Sequence, residues 1–412
     1  MCGVEYKNTF LKMGELQPKL RFPEFEGDWE KDAFENLVKI NQGLQIPISE
    51  RFLEEVENSH FYITNEFLRE GSQKKYFIKN PTQSVLCTED DILMTRTGNT
   101  GMVVTNVKGA FHNNFFKIRF PESINKGFLY YFLILDKTQN LIKSLAGTST
   151  IPDLNHSDFY KIEFGHPSRQ EQTKIGNFLS SIDEKINLLK EKKSLLEAYK
   201  KGIMQKIFNQ EIRFKDDNGN DFEDWKKKIL SEIFDYKKGS GLSKDKLVAN
   251  GINKCILYGE LYTKYNEVIF NVLSRTDSNE GLSSKIGDLL IPSSTTTSGI
   301  DLANVTALNF ENILLGGDIT VLRSTQDVNS VFYAYYLSNH KKEEIANYAQ
   351  GITIVHLYYS HIKDMIIDFP SVAEQTKIAN FLSAIDKKID LMGTQIKDMQ
   401  EYKKGLLQQM FV

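Results

Sequence analysis

The sequence predicts an α+β protein: two mixed α/β domains joined by two long helices that form an antiparallel coiled coil, with a pseudo-two-fold internal repeat. Three observations predict this. A 20-residue block recurs almost unchanged 203 residues later, and each copy opens a long stretch with apolar residues at a sustained 3.5-residue period. Ahead of each copy lies a longer segment of short β-like runs, turns and helical stretches.

The repeat comes first because it sets every boundary. Pro167 to Ile186 (PSRQEQTKIGNFLSSIDEKI) returns as Pro370 to Ile389 (PSVAEQTKIANFLSAIDKKI), with 15 of 20 positions identical. YKKGIMQKIF from Tyr199 answers YKKGLLQQMF from Tyr402 at the same offset. Upstream the match loosens. Arg21-Phe22 and Trp29 precede Gly43, as Arg213-Phe214 and Trp225 precede Gly239, with 14 residues from each Trp to its Gly. Thr148 to Ser157 matches Gly351 to Ser360 at Thr, Ile, Leu and Ser, whereas RTGNTGMVV from Arg96 has no close twin beside SSTTTSGIDL from Ser293. The order is an extension (1–20), a variable domain (21–166), a helical block (167–212), a second variable domain (213–369) and a second helical block (370–412). One element kept and one allowed to drift suggests a shared scaffold serving two different ligands.

In the first helical block the apolar series runs Ile175, Leu179, Ile182, Ile186, Leu189, Leu196, Ile203 and Ile207. In the second it runs Ile378, Leu382, Ile385, Ile389, Met392, Ile396, Met399, Leu406 and Met410. Steps of four and three over more than four heptads predict coiled-coil seams. Pro167 and Pro370 stand where a helix can start. A helix of about 35 residues would span roughly 50 Å. Two equal helices, each following a globular block, bury their seams best against one another and antiparallel. The alternative is that each belongs only to its own domain's core. Lys193, Lys200 and Lys403 interrupt the seams. Lys193 and Lys200 are expected to lay their stems along them and keep their charges in water.

In the first variable domain Ser84–Cys87, Ile92–Thr95, Met102–Thr105 and Phe115–Phe120 read as strands and Gly127–Ser144 as helix. In the second, Asp288–Ile291 and Ile319–Leu322 read as strands and Ser330–Ala349 as helix. Polar turns beside strands are the expected contact surface. They hold Arg96, Thr97, Asn99, Thr100, His112, Asn113 and Asn114 in the first domain. In the second they hold Lys237, Lys238, Ser293, Ser294, Thr295, Thr296 and Thr297. Lys74, Lys75 and Tyr258 complete the candidate set. Arg matches guanine O6/N7, Asn matches adenine N6/N7, and hydroxyls or Lys hold phosphates.

Composition alone does not reveal this. The 412 residues carry a net charge of −3, with 41% apolar and 25% charged residues, as expected of a soluble globular protein. Residues 21–166 hold 16 Lys/Arg against 20 Asp/Glu, and 213–369 hold 17 against 21. A DNA-binding face must therefore be a local patch, or one completed by a partner. The longest apolar run, Phe128 to Leu135, is far short of the roughly 20 residues needed to cross a bilayer. The opening MCGVEYKNTFLKMGE lacks a basic stretch leading into an apolar core, so a secretion signal is not expected there. Cys2, Cys87 and Cys255 read as reduced thiols of a cytoplasmic protein, not as a disulfide framework or zinc site.

From Leu20 to Val412 the chain resembles the specificity subunit of type I restriction-modification enzymes. The resemblance rests on RFPEFEGDW (Arg21 to Trp29), both PS..EQTKI.NFLS.ID.KI blocks, GDLLIPSS, LLGGDITVLR and the two YKKG turns. It implies that each variable block is a target recognition domain reading half of a split site in double-stranded DNA. The paired helices would set the unread gap; half-sites on one DNA face lie roughly 34–36 Å apart. Two methyltransferase subunits would methylate adenine with S-adenosylmethionine, and two restriction subunits would add ATP- and Mg-dependent cleavage. This subunit itself would carry no cofactor, metal or catalytic residue and touch no membrane. A specificity subunit of a related type IIB/IIG-like enzyme is the alternative.

Enzyme readings fare worse. No GxxxxGK[ST] loop or HExxH cluster is present, and Asn80-Pro81-Thr82 is the nearest fragment to a methyltransferase NPPF turn. Pro152-Asp153 and Asp183-Glu184-Lys185 imitate a degenerate nuclease pattern, but Val355-His356 breaks it in the second repeat. Asp183 and Lys185 lie among heptad positions, where solvated charges are expected. A coiled-coil adaptor would explain the helices and not the two diverged domains.

Overall fold

Each repeated block starts a helix because Ser168 and Ser371, directly after the prolines, cap it. Their hydroxyls accept from the amides of Glu171 (3.4 Å) and Glu374 (3.3 Å). In the computed structural model, which describes residues 16–69, 71–148 and 150–412, the helices run Arg169–Phe208 and Val372–Met410. At 40 and 39 residues each spans about 60 Å, longer than the sequence suggested. Cys2 and most of the 1–20 extension lie outside the described residues.

The chain forms two compact units, and both cut across the long helices. One runs through Lys190 and takes in Thr394–Val412; the other is Glu191–Gly393. In the first unit Ile175, Leu179, Ile182 and Ile186 share a core with Leu406, Met410 and Phe411. In the second, Ile378 and Leu382 share one with Met204, Ile207 and Phe208. The start of one helix thus meets the end of the other in both units, which is antiparallel pairing. Every predicted seam position from Ile175 to Met399 is buried or half-buried. The helices also serve their own domains' cores, because the outer turns of each seam pack with Trp29 and Phe128, or with Trp225 and Phe332.

The two domains share one topology. In the first, a four-stranded sheet is ordered Lys39–Gln42, Phe115–Arg119, Ile92–Thr95, Val103–Val104. A second sheet is ordered Tyr76–Lys79, Ser59–Ile63, Gly109–Phe111, Leu86–Cys87. In the second domain the corresponding orders are Phe234–Lys238, Ile319–Ser324, Asp288–Pro292, Thr306–Leu308, and Ser274–Thr276, Asn253–Ile256, Leu314–Leu315, Leu282–Ser283. Val268–Ile269 extends the first of these to five strands. Gly43 and Gly239 stand where the chain leaves one sheet for the other. A Cβ there would come within 2.1 Å of the Phe111 carbonyl oxygen and 2.0 Å of that of Gly316, which explains the repeated spacing from each Trp.

Three predicted elements are corrected. Ser84–Cys87 is a 3-10 turn, Gln83–Val85, followed by the short strand Leu86–Cys87. Gly127–Ser144 is two helices, Lys126–Ile134 and Asp136–Leu145, parted by the extended backbone of Leu135 (ψ 139°). Ser330–Ala349 passes from α-helix through a π turn at Tyr336–His340 into Lys342–Asn347. Cys87 and Cys255 are free and buried, and burial pushes both thiols up to about 11.

The polar residues of the repeated block are joints. Glu374, fully buried, accepts from Arg213 (2.9 Å) and from the Trp225 indole (2.9 Å); Glu171 holds Arg21 (2.8 Å). Gln172 accepts from the Asn125 amide and Gln375 from the Asn329 amide, both 2.8 Å, tying each helix to its domain. Deeper along each helix an aspartate meets a lysine of the other. Asp183 accepts from Lys403 (2.6 Å) and Tyr131 (2.7 Å). Asp386 pairs with Lys200 (2.7 Å) and Tyr335, and Lys200 also pairs with Glu267 (3.0 Å).

The expectation of hydrated charges is therefore corrected at Lys200 and Asp183. The Lys200 side chain is only 12% exposed. Burial disfavours its charge, and Glu267 and Asp386 more than offset that, so its pKa is raised. Lys193 keeps a half-exposed pair with Glu197 (2.6 Å). Replacing Glu374 with Leu strands a guanidinium and an indole N–H. Denaturant unfolding of that unit should show a loss of roughly 3 kcal/mol, and an unchanged midpoint would mean the joint is dispensable.

Candidate nucleic-acid interface

In the first domain four chain segments converge beside the sheet ends. Leu44 donates to the Phe111 carbonyl (3.1 Å), Asn113 to that of Leu44 (3.0 Å), Arg96 to that of Asn114 (2.7 Å), and the Asn65 side chain to that of Thr97 (2.9 Å). The second domain repeats this backbone frame. Ser240 donates to Leu315 (3.2 Å), Ser293 to Asp318 (2.8 Å), and Leu357 to Ser293 (3.0 Å) as Leu154 does to Arg96 (2.9 Å). The frame puts Arg96 in register with Ser293, and His112-Asn113-Asn114 with Gly316-Gly317-Asp318. The two stretches that share no sequence thus occupy one structural place.

Within that frame the candidate side chains divide. Arg96 is pinned: its guanidinium pairs with Asp153 (2.6 Å), lies over the Phe116 ring, and is 18% exposed. The Thr97 hydroxyl is also bound to Asp153, and Thr100 is buried, donating to the Pro152 carbonyl (2.8 Å). Ser293, Ser294 and Thr295 are buried. Ser293 bonds Thr320 (2.8 Å), Ser294 bonds Asp318 (2.9 Å) and Thr295 bonds Thr297 (2.8 Å). The expectation of a solvent-facing hydroxyl run is corrected at Thr100, Ser293, Ser294 and Thr295, whose hydroxyls are spent inside the fold. Asn99, Thr296, Thr297, Lys74, Lys75, Lys237, Lys238 and Tyr258 are exposed, the two Lys237-Lys238 ammonium groups on an edge strand. Asn113 and Asn114 are half-buried.

His112 Nδ1 accepts from the Asn114 amide (3.1 Å). Desolvation first, and the Arg51 charge second, lower its pKa to about 4. It is therefore a neutral hydrogen-bonding ring near pH 7, not a cation for phosphate.

Sequence reading missed two glutamines at the same place. Gln42 donates to the Asn113 carbonyl (2.9 Å), and exposed Gln45 accepts from the Asn113 side chain (3.1 Å). The missed signal was a second and third amide flanking Gly43. Among the described residues one group, Glu30, Asp32 and His166, brings three metal-capable ligand atoms within 4.8 Å of one another. The second domain has Lys226, Lys228 and Phe369 at those positions of its matching strand pair. The nuclease-like residues serve structure: Asp153 holds Arg96, and Asp183 holds Lys403. No described helix is long and apolar enough to cross a membrane.

Two domains of one topology, each followed in the chain by a copy of one long helix and carrying different side chains on matching turns, define a duplicated protein. A family model for the type I restriction modification DNA specificity domain matches residues 26–198 and again 222–400. The chain belongs to that family, the specificity subunits of type I restriction-modification systems.

It is similar to the MjaVIII specificity subunit of Methanocaldococcus jannaschii, 25% identical over 94% of this chain and 92% of that one. It is also similar to the MjaIX specificity subunit of that organism, 22% identical over 77% and 75%. The fold matches the crystal structure of the type I S subunit from M. genitalium (TM-score 0.61, 18% identity, covering 96% and 99%). It also matches a chain from a study of type I complex assembly and conformational transition (TM-score 0.52, 13% identity, 93% and 97%).

The depressed His112 pKa has a readable consequence. Its imidazole should titrate by NMR with a midpoint near 4; a midpoint near the ordinary 6.5 would refute the buried, neutral ring. Because the folded pKa lies below the unfolded one, this group's contribution to stability is intact above about pH 6.5 and is lost as pH falls towards 4.

Proposed function

We propose that this chain recognises a bipartite DNA site, each domain reading one half, and that it docks two methyltransferase and two restriction subunits while catalysing nothing itself. The observation that carries this reading is the shared backbone frame with unlike side chains on matching turns. One ligand class, duplex DNA, suits both frames, and different bases suit the different side chains. S-adenosylmethionine, ATP and Mg would then reside on the partners. Weak overall acidity fits a protein whose partners supply much of the phosphate contact.

The helices support docking of paired copies. Leu188 and Leu391, equivalent in the repeat, are 55% and 53% exposed, and Tyr199 and Tyr402 are 52% and 54% exposed. Apolar groups left in water at matching positions of both repeats suit two copies of one partner.

Exchanging residues 21–166 for the matching domain of another specificity subunit should change one half of the methylated motif and leave the other. A change in both halves would end the modular reading. The purified chain should transfer no methyl group without partners. Leu188→Glu combined with Leu391→Glu should weaken recovery of the methyltransferase with this chain by about tenfold or more, and undiminished recovery would remove these residues from the docking surface.

A further inference from the structure

The shared frame allows the two heads to be compared position by position. Besides Asn99, the first presents the side-chain amides Gln42, Gln45, Asn65, Asn113 and Asn114. The backbone hydrogen bonds and strand register align these with Lys238, Gly241, Tyr258, Gly317 and Asp318 of the second domain, none of which is an amide. The two heads therefore differ in chemistry as well as in sequence.

Within the first set the amides are graded. Asn65 and Gln42 are spent on backbone carbonyls, of Thr97 and Asn113. Asn113 gives one amide hydrogen to Gln45 Oε1, and its own side-chain oxygen, Oδ1, is buried without a partner. Gln45 stands last in this chain of bonds. It is exposed, held through its oxygen, and its Nε2 donates to no protein group among the described residues. A carboxamide has two acceptor sites on oxygen and two donor hydrogens on nitrogen. Gln45 thus keeps one acceptor site and both hydrogens, the set that matches adenine N6–H and N7 in the major groove. Its orientation is prepaid by Asn113, which reduces the rotamer entropy lost on binding.

We infer that Gln45 is a base-reading residue of the first domain, specific for adenine, and that Asn113 is its positioning residue. This rests on the one-domain-per-half reading above and adds to it the residue and the base. The second domain, with Gly241 and Gly317 at these positions, reads its half by other groups.

The test maps methylated adenines in DNA from cells carrying the whole system, with this chain intact, as Gln45→Ala, as Gln45→Glu and as Asn113→Gly. Gln45 is exposed, so the first two variants keep the fold. Gln45→Ala should relax one A·T position in one half-site, with discrimination there falling roughly 5- to 150-fold. Gln45→Glu keeps the Asn113 bond but offers only acceptors, and should shift that position towards cytosine, whose N4 group donates. Asn113→Gly should relax the same position less. An unchanged motif, relaxation at a G·C position, or uniform loss of methylation with the motif intact would overturn the assignment. Change in both half-sites would instead sink the modular reading on which it rests.

Discussion

The structure depends on a buried carboxylate in the first turn of each long helix. Glu374 has no exposed surface, and it receives Arg213 and the Trp225 indole; Glu171 receives Arg21 in the same way. A buried carboxylate left alone costs several kcal/mol, so each helix can start only where its own domain delivers the arginine. The adjacent glutamines, Gln172 and Gln375, bind the residues that cap the next domain helix. The identical EQT tripeptides thus face matching arginines and asparagines, although the indole of Trp225 reaches Glu374 and that of Trp29 has no partner. The variable turns share backbone bonds but not side-chain partners: Arg96 is held by Asp153, and Ser293 by Thr320.

The apolar seam and the polar joints do different jobs. A fully buried Leu or Ile contributes about 2 kcal/mol, so Leu179, Leu382 and their neighbours supply the stability. A buried ion pair contributes little net, but separating it is expensive. Sliding either helix by one heptad would restore apolar contacts while leaving Asp183 without Lys403, or Lys200 without Asp386. The heptads tolerate several alignments and the ion pairs tolerate one. That division explains why Lys200 and Lys403 interrupt an otherwise regular seam; Lys193 pairs within its own helix.

Legibility in the sequence followed the range of the interactions. The duplication shows as a repeated block, and both helices and the strands Ile92–Thr95, Asp288–Pro292 and Ile319–Ser324 show as local patterns, so the sequence displays them. The fates of Lys200, Thr100 and Ser293 rest on partners such as Glu267, Pro152 and Thr320, at separations of 67, 52 and 27 residues, and no local pattern displays those. The same limit concealed which candidate side chains remain exposed and which are bonded inside the fold. A hydroxyl-rich run looks available until Asp318 and Thr320 are found against it, and an isolated Gln45 looks ordinary until Asn113 is found beside it.

The frame separates what holds the recognition surface from what could vary upon it. At the matching turns main-chain bonds recur in both domains, from Arg96 or Ser293 to the 114 or 318 carbonyl, so neighbouring side chains that are not bonded into the fold are free to differ. Neighbours in the first domain then use that freedom for amides, while the second uses glycine, lysine and aspartate. A fold built this way can change what it contacts without changing how it stands. The apolar seams supply its stability, Glu171 and Glu374 fix where each long helix begins, and the exposed side chains beside the matching turns differ between the two domains.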